Sequence, residues 1–267
     1  MEVNQTIEPV TVPEPPRPNV LRTIYIVLPA YNEEENLGTL LDQIRDAMEE
    51  SGHTYRVIVV DDGSRDRTLE IAREHAGIMP VIVERHEVNQ GLGATIRDGL
   101  RAAADRCLDR DIVVAMDADN SHKPGLIDAM IPLIRQGNDV VIASRYRPGS
   151  HVRGVPFHRN VLSFGARMLF QAVFPIRGVR DYTCGYRAYR GSLLKQAFAR
   201  HGDALVSEEG FQCMVDILLK LHRMGAIFNE VPMILRYDLK GGVSKMRVGQ
   251  TVGRTLALLL RSRFSPG

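Results

Sequence analysis

Two carboxylates, Asp117 and Asp119, stand one residue apart directly after a short apolar run over residues 112–116. The run has the length and composition of a buried strand in a parallel sheet. In open α/β sheets, ligands bind just outside the carboxyl ends of the strands. Mg²⁺ and Mn²⁺ prefer oxygen ligands, and proteins often hold Mg²⁺ with one or two carboxylates plus substrate phosphates. The pair therefore predicts a cation held against a diphosphate, while capping of the next helix is the alternative reading of the two aspartates.

The elements that must position this pair follow a regular alternation. Predicted strands lie at 23–28, 56–60, 81–84, 112–116 and 139–143, with predicted helices at 33–51, 66–76 and 94–105. Such alternation favours a parallel, doubly wound α/β sheet. Right-handed crossovers place all strand-end loops of such a sheet at one edge.

That edge is expected to be crowded with polar and acidic side chains. The residues at the strand ends are Tyr31, Glu33, Asp61, Asp62, Asp117 and Asp119. Like charges held close together repel unless a cation or hydrogen-bond donors accompany them. A metal–nucleotide site is therefore predicted there, with Asp62 expected to bond its own turn rather than a ligand.

Local signals add detail at both ends of this region. Asn32 is predicted to cap the helix at 33–51, with Glu35 completing a capping box. Further along, residues 206–225 have helical periodicity, and residues 227–235 predict a strand broken by Pro232.

Composition excludes several classes of protein. The chain has 267 residues, is 44% hydrophobic and carries a formal net charge of +2, which is typical of a globular protein and not of a nucleic-acid-binding one. The three cysteines are widely spaced and predict free thiols. No apolar run reaches the length of a membrane-spanning helix. Residues 1–21 are polar and rich in proline, and are expected to be a disordered arm.

Longer stretches of the sequence resemble a known family. They are LPAYNEEENL at 28–37, VIVVDDGSRDRT at 57–68, NQGLGATIRDG at 89–99, MDADNSHKP at 116–124, IASRYRPGS at 142–150, RNVLSFGARML at 159–169, DYTCGYRAY at 181–189 and FNEVPMILRYDLKGGVSKM at 228–246. In this order they resemble family 2 glycosyltransferases with the GT-A fold, most closely the dolichyl- and polyprenyl-phosphate mannosyltransferase group. The resemblance covers about residues 22–247.

The resemblance implies a specific architecture. It is an α/β GT-A fold, with a Rossmann-like, mostly parallel sheet flanked by helices on both faces and a C-terminal extension on the acceptor side. Residues 22–247 would form one domain, with a nucleotide-sugar half at 22–120 and an acceptor half at 121–247. Residues 248–267 would form an amphipathic C-terminal helix or tail.

The resemblance also implies an inverting, metal-dependent sugar transfer, with GDP-mannose the expected donor and a polyprenyl or dolichyl phosphate the acceptor. Asp117 and Asp119 would hold Mg²⁺ or Mn²⁺, with Ser121 a weaker third ligand. Asp119, Arg145 and Lys245 are the catalytic candidates. The nucleotide-sugar candidates are Pro29, Tyr31, Glu33, Asp61, Asp117 and Asp119, and the acceptor-phosphate candidates are Arg145, Arg159, Ser163, Arg236 and Lys245.

A lipid acceptor implies contact with a membrane. We expect peripheral attachment to the cytoplasmic face, either directly or through a separate membrane-anchor subunit. The apolar segment 161–174 and the Arg-flanked segment 251–264 have the character of interfacial helices. Packing of the same segments against the domain is an equal alternative.

Other functions stay open at this stage. UDP-glucose is a second donor candidate, and a soluble hydroxyl acceptor would need a base, for which Glu208 and Glu209 are candidates. A sugar nucleotidyltransferase is disfavoured because its glycine-rich opening is absent. A non-catalytic binding subunit is disfavoured because Asp117, Asp119, Arg145 and Lys245 are all present.

Overall fold

The computed structural model describes residues 22–154, 165, 168–210 and 212–236. Its centre is a seven-stranded sheet in the order β3-β2-β1-β4-β7-β5-β8. The strands are β1 (Thr23–Ala30), β2 (Thr54–Asp61), β3 (Val81–Arg85), β4 (Ile112–Ala115), β5 (Val140–Ser144), β7 (Arg187–Arg190) and β8 (Phe228–Pro232). All neighbours pair in parallel except β7, which runs antiparallel between β4 and β5. A separate parallel pair is formed by β6 (His151–Arg153) and β9 (Ile234–Arg236).

Helices cover the sheet on both faces. They are α1 (Leu37–Glu50), α2 (Thr68–Ala76), α3 (Leu92–Arg106), α4 (Ile127–Arg135), α5 (168–173), α6 (Gly191–His201) and α7 (Cys213–Arg223). In β1 the consecutive residues 24–28 are all buried. Because successive side chains of a strand point to opposite faces, both faces must be covered there.

The hydrophobic pattern explains how the helices pack. In α1 the buried residues Leu37, Leu40, Leu41, Ile44 and Met48 recur at helical spacing and form one apolar face. Helix α3 approaches the sheet more closely, because a Cβ at Gly99 would overlap the Val27 side chain of β1. Glycine is what allows this close contact of helix and strand.

The antiparallel strand β7 was not among the predicted strands, and it is compatible with the predicted mostly parallel sheet. A single antiparallel strand inside a mostly parallel sheet leaves no local signal, because its partners are distant in sequence. The mostly parallel α/β architecture itself is confirmed.

Two helix predictions were wrong in their boundaries. The first helix begins at Leu37 rather than at 33, and Asn32 does not cap it: Asn32 has φ of 52°, and its side chain bonds the next loop. The predicted helix at 206–225 is helical only from Cys213 to Arg223, preceded by a short 3₁₀ turn that ends at Leu205. The predicted break at Pro232 is confirmed, since β8 ends there.

The proline-rich arm and the C-terminal tail lie outside the described residues. Of the apolar segment 161–174, Phe170 is buried and stacks on Tyr182 at 5.3 Å, while Met168 and Leu169 are exposed. Within the described part of the chain, we find no helix with the length and apolar character needed to span a bilayer.

Candidate active site

The sheet register brings the loops after β1, β2 and β4 to one edge. Ala30, the last residue of β1, pairs with Asp61, the last residue of β2. Val27 pairs with Ala115, so the loop carrying Asp117 and Asp119 begins beside the end of β1. The predicted strand-end residues are thus placed on a common edge, as expected for ligand binding in this kind of sheet.

Asp61 is buried at this edge with part of its hydrogen-bonding capacity unused. Its Oδ1 accepts a bond from the Ser64 backbone N–H at 3.3 Å. Its Oδ2 is buried and has no hydrogen-bond partner among the described residues. An unsatisfied buried acceptor costs free energy, so a ligand N–H donor is the kind of group that fits this position.

The loop after β1 is fixed against the loop after β2. The Asn32 backbone N–H donates to Ser64 Oγ at 3.0 Å, and Asn32 Oδ1 accepts from the Arg65 N–H at 2.9 Å. The Glu33 N–H donates to Thr68 Oγ1 at 2.7 Å, and its carboxylate accepts from Asn36 at 2.9 Å. These bonds fix the backbone directly after Tyr31 to the loop that follows Asp61.

The two carboxylates after β4 differ in environment. The Asp117 side chain is 36% exposed, whereas Asp119 is 9% exposed. Asp119 Oδ1 accepts two bonds from Ser121, one from the backbone N–H at 3.1 Å and one from the hydroxyl at 2.5 Å. The Ser121 hydroxyl therefore orients the Asp119 carboxylate. Asn120, between them, has φ of 57°, and its Oδ1 is buried with no partner in the described structure.

His122 supports Asp117 and was missed by the sequence analysis. Its ring is 4% exposed and stacks on Tyr186 at 5.1 Å between centroids. The Asp117 backbone N–H donates to Nδ1 at 3.3 Å, which leaves the ring proton of the neutral imidazole on Nε2. Nε2 lies 3.9 Å from Asp117 Oδ2. The only sequence signal was a histidine five residues after Asp117 in the same strand-end loop.

A second loop, residues 181–187, closes around Asp117. A Cβ at Gly185 would lie 3.2 Å from Asp117 Oδ1, so the glycine lets the backbone approach the carboxylate. Arg187, 1% exposed, holds this loop by donating to the carbonyl oxygens of Cys184, Tyr182 and Met214 at 2.7–2.8 Å. This wall reaches Asp117 because β7 lies next to β4.

Arg145 follows β5 and forms a buried ion pair. Its Nε and Nη2 each donate to the Asp181 carboxylate at 2.8 Å, and Nη2 also donates to Thr183 Oγ1 at 2.7 Å. Although burial opposes the charge, the Asp181 carboxylate raises the pKa of Arg145. Burial alone would raise the pKa of Asp181, but Arg145 holds it below its ordinary value. The Nη1 group makes no hydrogen bond to any described residue, and the side chain is 23% exposed.

The donor set fits a cation that shares its ligands with a substrate. Among the residues the structure describes, no cluster of three His, Cys, Asp or Glu side chains is arranged to hold a metal alone. Asp117 and Asp119 offer two carboxylates, and the diphosphate of a nucleotide would supply the remaining oxygens that Mg²⁺ or Mn²⁺ requires. The residues present thus fit a metal–diphosphate complex better than a resident metal.

The acceptor-side candidates are only partly placed. Arg159, Ser163 and Lys245 lie outside the described residues. Arg236 ends β9, where its backbone pairs with Arg153 of β6. Pro29 lies within β1 and pairs with Val60.

The alternative base candidates sit on a loop near the start of α3. Glu208 is partly buried and Glu209 is exposed. The Glu209 carbonyl oxygen accepts the Gly93 N–H at 2.8 Å. Asp216, in α7, accepts bonds from both the N–H and the hydroxyl of Ser207 and from Lys220, so it holds this loop in place.

Comparison with known proteins decides the family. Residues 25–198 match the family model described as glycosyl transferase family 2, which is more than half of the chain. The chain belongs to glycosyltransferase family 2. The predictions of the family and of a glycosyltransferase activity are confirmed.

Three similar proteins carry names that refer to a polyprenol or a polyprenyl-type phosphate. A dolichol-phosphate mannosyltransferase of Pyrococcus furiosus is 35% identical over 239 residues, covering 89% of this chain but only 63% of that protein. A polyprenol monophosphomannose synthase of Mycolicibacterium smegmatis is 34% identical over 83% of this chain and 80% of its own. An undecaprenyl-phosphate mannosyltransferase of Micrococcus luteus is 34% identical, covering 89% of this chain and 93% of its own.

Solved structures confirm the GT-A fold of this glycosyltransferase. Glucosyl-3-phosphoglycerate synthase from Mycobacterium tuberculosis, in complex with Mn²⁺ and UDP-glucose, matches with a TM-score of 0.66 and 24% identity. The match covers 92% of this chain and 80% of that one. At this identity the likeness establishes the fold alone.

Proposed function

We propose that this glycosyltransferase moves mannose from GDP-mannose onto a polyprenyl phosphate, with inversion and with Mg²⁺ or Mn²⁺. The observation that carries the proposal is that Asp61 and the loop carrying Asp117 and Asp119 lie at one edge of the sheet. Support for this substrate class comes from the three relatives of 34–35% identity. Two are named as dolichol-phosphate and undecaprenyl-phosphate mannosyltransferases, and one as a polyprenol monophosphomannose synthase.

On the donor side, different residues are proposed to bind the base and ribose and to bind the cation–diphosphate complex. Asp61 accepts an N–H of the base through its unpartnered Oδ2, and Tyr31, Pro29 and Glu33 complete the base and ribose pocket. Asp117 and Asp119 bind the cation–diphosphate complex, and Ser121 orients Asp119. When bound, the cation neutralises the charge that develops on the departing diphosphate.

On the acceptor side, the chemistry needs cations rather than a strong base. A phosphate monoester loses its last proton with a pKa of about 6, so it is already an anionic nucleophile near neutral pH. The Nη1 group of Arg145 can bind one of its oxygens while Asp181 fixes the rest of the guanidinium. Arg159, Ser163, Arg236 and Lys245 are proposed to complete this phosphate site. Residues 22–120 would then bind the donor and residues 121–247 the acceptor.

A lipid acceptor requires that the enzyme reach a membrane surface. We propose peripheral attachment to the cytoplasmic face, either through the segments 161–174 and 251–264 or through a separate anchor subunit. The exposed Met168 and Leu169 of α5 support the first route.

A second candidate is glucosyl transfer from UDP-glucose to a soluble hydroxyl. The presence of Glu208 and Glu209 on a loop that is hydrogen-bonded to the start of α3 favours keeping it. A hydroxyl acceptor needs a general base, and these two glutamates are the proposed source.

The decisive experiment is sugar transfer from radiolabelled GDP-mannose and UDP-glucose to polyprenyl phosphate, with Mg²⁺ or Mn²⁺ and with a chelator. We expect label from GDP-mannose in the lipid fraction, its loss on chelation, and a decrease of about a hundredfold in Asp119→Asn. Asp109→Asn is the matched control, because Asp109 forms an exposed ion pair with Lys195 away from this edge. Transfer from UDP-glucose to a soluble acceptor, abolished in Glu208→Gln or Glu209→Gln, would support the second candidate and refute the first.

A further inference from the structure

His86 lies buried between two carboxylates next to the nucleotide side of the site. Its Nδ1 is 2.7 Å from Asp62 Oδ1, and its Nε2 is 3.1 Å from Asp98 Oδ2. An ionised carboxylate only accepts hydrogen bonds, and a neutral imidazole has one N–H. Only the imidazolium form of His86 can therefore donate to both partners.

The charges around His86 alternate along a short chain. Asp98, in α3, also accepts bonds from Arg97 Nε at 2.8 Å and Nη2 at 3.1 Å. The sequence of groups is thus Asp62, His86, Asp98 and Arg97, with charges of −, +, − and +. The adjoining Arg85 and Glu87 are exposed, and the ion pairs of the ring within the described part of the chain are those with Asp62 and Asp98.

Asp62 connects this chain to the backbone near the base pocket. Its carboxylate also accepts the N–H groups of Gln90 at 2.8 Å and Gly91 at 2.9 Å. At Gly63, with φ of 67°, a Cβ would lie 2.7 Å from the carbonyl carbon of Val88, so residues 88–91 pack directly on this turn. The His86 N–H donates to the Asp61 carbonyl oxygen at 2.9 Å. Loop 86–91 is therefore fixed to the same turn that presents Asp61.

We propose that His86 is a positioning residue for nucleotide-sugar binding. Its ring holds Asp62, and Asp62 holds the backbone of residues 90–91 beside Asp61. Replacement of the ring removes both of its hydrogen bonds to the carboxylates and leaves Asp62 less firmly oriented. Affinity for the donor therefore falls when His86 is replaced. The inference rests on the proposed donor site at Asp61.

The test is calorimetric binding of Mg²⁺–GDP-mannose and Mg²⁺–UDP-glucose without acceptor, to the wild type and to His86→Gln. We expect the affinity of His86→Gln to be about tenfold lower, equal to one charged hydrogen bond. The kcat of sugar transfer at saturating donor should stay at the wild-type level, because the substitution acts on donor binding. His75→Gln should follow the wild type, because His75 lies on α2 beside Ile71 and Asp42.

An affinity of His86→Gln equal to that of the wild type, or an equal loss of affinity in His75→Gln, would overturn the inference. If His86→Gln does not fold, Asp98→Asn provides the second test. It leaves Asp62 intact but removes the carboxylate that orients the Nε2 side of the ring, so donor affinity should fall by a smaller factor. An unchanged affinity in Asp98→Asn would then overturn the inference. Failure of the wild type to bind either nucleotide sugar would instead refute the proposed donor site.

Discussion

At the scale of single residues, the clearest feature is that Ser121 orients the carboxylate of Asp119. Asp119 is nearly buried, and its Oδ1 accepts bonds from both the backbone N–H and the hydroxyl of Ser121. Groups that orient a metal ligand typically change metal affinity or activity by about 10–100-fold when removed. The hydroxyl of Ser121 is therefore expected to act through Asp119.

Ser121→Ala should raise the Mn²⁺ concentration for half-maximal donor binding by about tenfold. Because Asp119 itself remains, excess Mn²⁺ should restore binding, and Ser121→Thr should retain the wild-type dependence. Titration of donor binding against Mn²⁺ measures this. An unchanged Mn²⁺ dependence in Ser121→Ala would show that the hydroxyl has no such role.

The Arg145–Asp181 pair allows a second prediction at this scale. Asp181→Asn leaves the guanidinium without its buried counter-charge, and breaking a buried pair costs about 3 kcal/mol or more. Urea denaturation should show this loss of unfolding free energy. The control Asp109→Asn, which breaks an exposed pair, should cost less than about 1 kcal/mol. Equal effects of the two substitutions would contradict the buried-pair interpretation.

At the scale of elements, the start of α3 is clamped between two loops. Asp62 binds the Gly91 N–H on one side, and Glu209 binds the Gly93 N–H on the other. The donor-side turn and the loop carrying the glutamate candidates are thus joined through the first residues of one helix. Strand β7 likewise joins two parts of the site, because its pairing with β4 brings the 181–187 loop next to Asp117.

Gly93→Ala tests the clamp. A Cβ there would overlap the Glu208 carbonyl oxygen, and backbone cannot give way cheaply. Overpacking costs about 1–3 kcal/mol, which outweighs the gain in helix propensity of about 1 kcal/mol. Thermal unfolding should show a lower midpoint in Gly93→Ala. Gly125→Ala is the control, since a Cβ at Gly125 meets nothing within 4 Å; a midpoint for Gly93→Ala equal to that of the control would exclude the clamp.

At the scale of the whole molecule, buried carboxyls link stability to pH. The pKa of Asp181 is lowered in the folded protein, so its contribution is present above the unfolded pKa and is lost as pH falls through the folded one. Burial raises the pKa of Glu230, so its contribution has the opposite sign and is lost as pH rises through the folded value.

We therefore expect the free energy of unfolding to fall steeply below about pH 4, the ordinary range of aspartate. Asp181→Asn should be less stable near neutral pH yet show a shallower decline in acid, because its position no longer titrates. Denaturation midpoints measured across acidic pH test this. A decline as steep as in the wild type would mean that other carboxyls dominate.

The sequence by itself determined the α/β architecture, most strand positions, and the carboxylates at the strand ends. These features are local, since a buried parallel strand is a short apolar run and its ligand-binding residues follow directly in the chain. The resemblance of longer stretches then indicated the family. The start of α1 was predicted incorrectly, because the Asn32 side chain accepts a hydrogen bond from the Arg65 N–H in the next loop instead of capping its own helix.

Only the tertiary structure decided which distant residues meet. It inserted β7 antiparallel beside β4, paired Arg145 with Asp181 across 36 positions, and placed His86 between Asp62 and Asp98. Each of these contacts depends on strand order and loop packing. Such pairings between separate segments leave no periodic pattern in the chain, because the free energy that selects them comes from burial of the assembled fold.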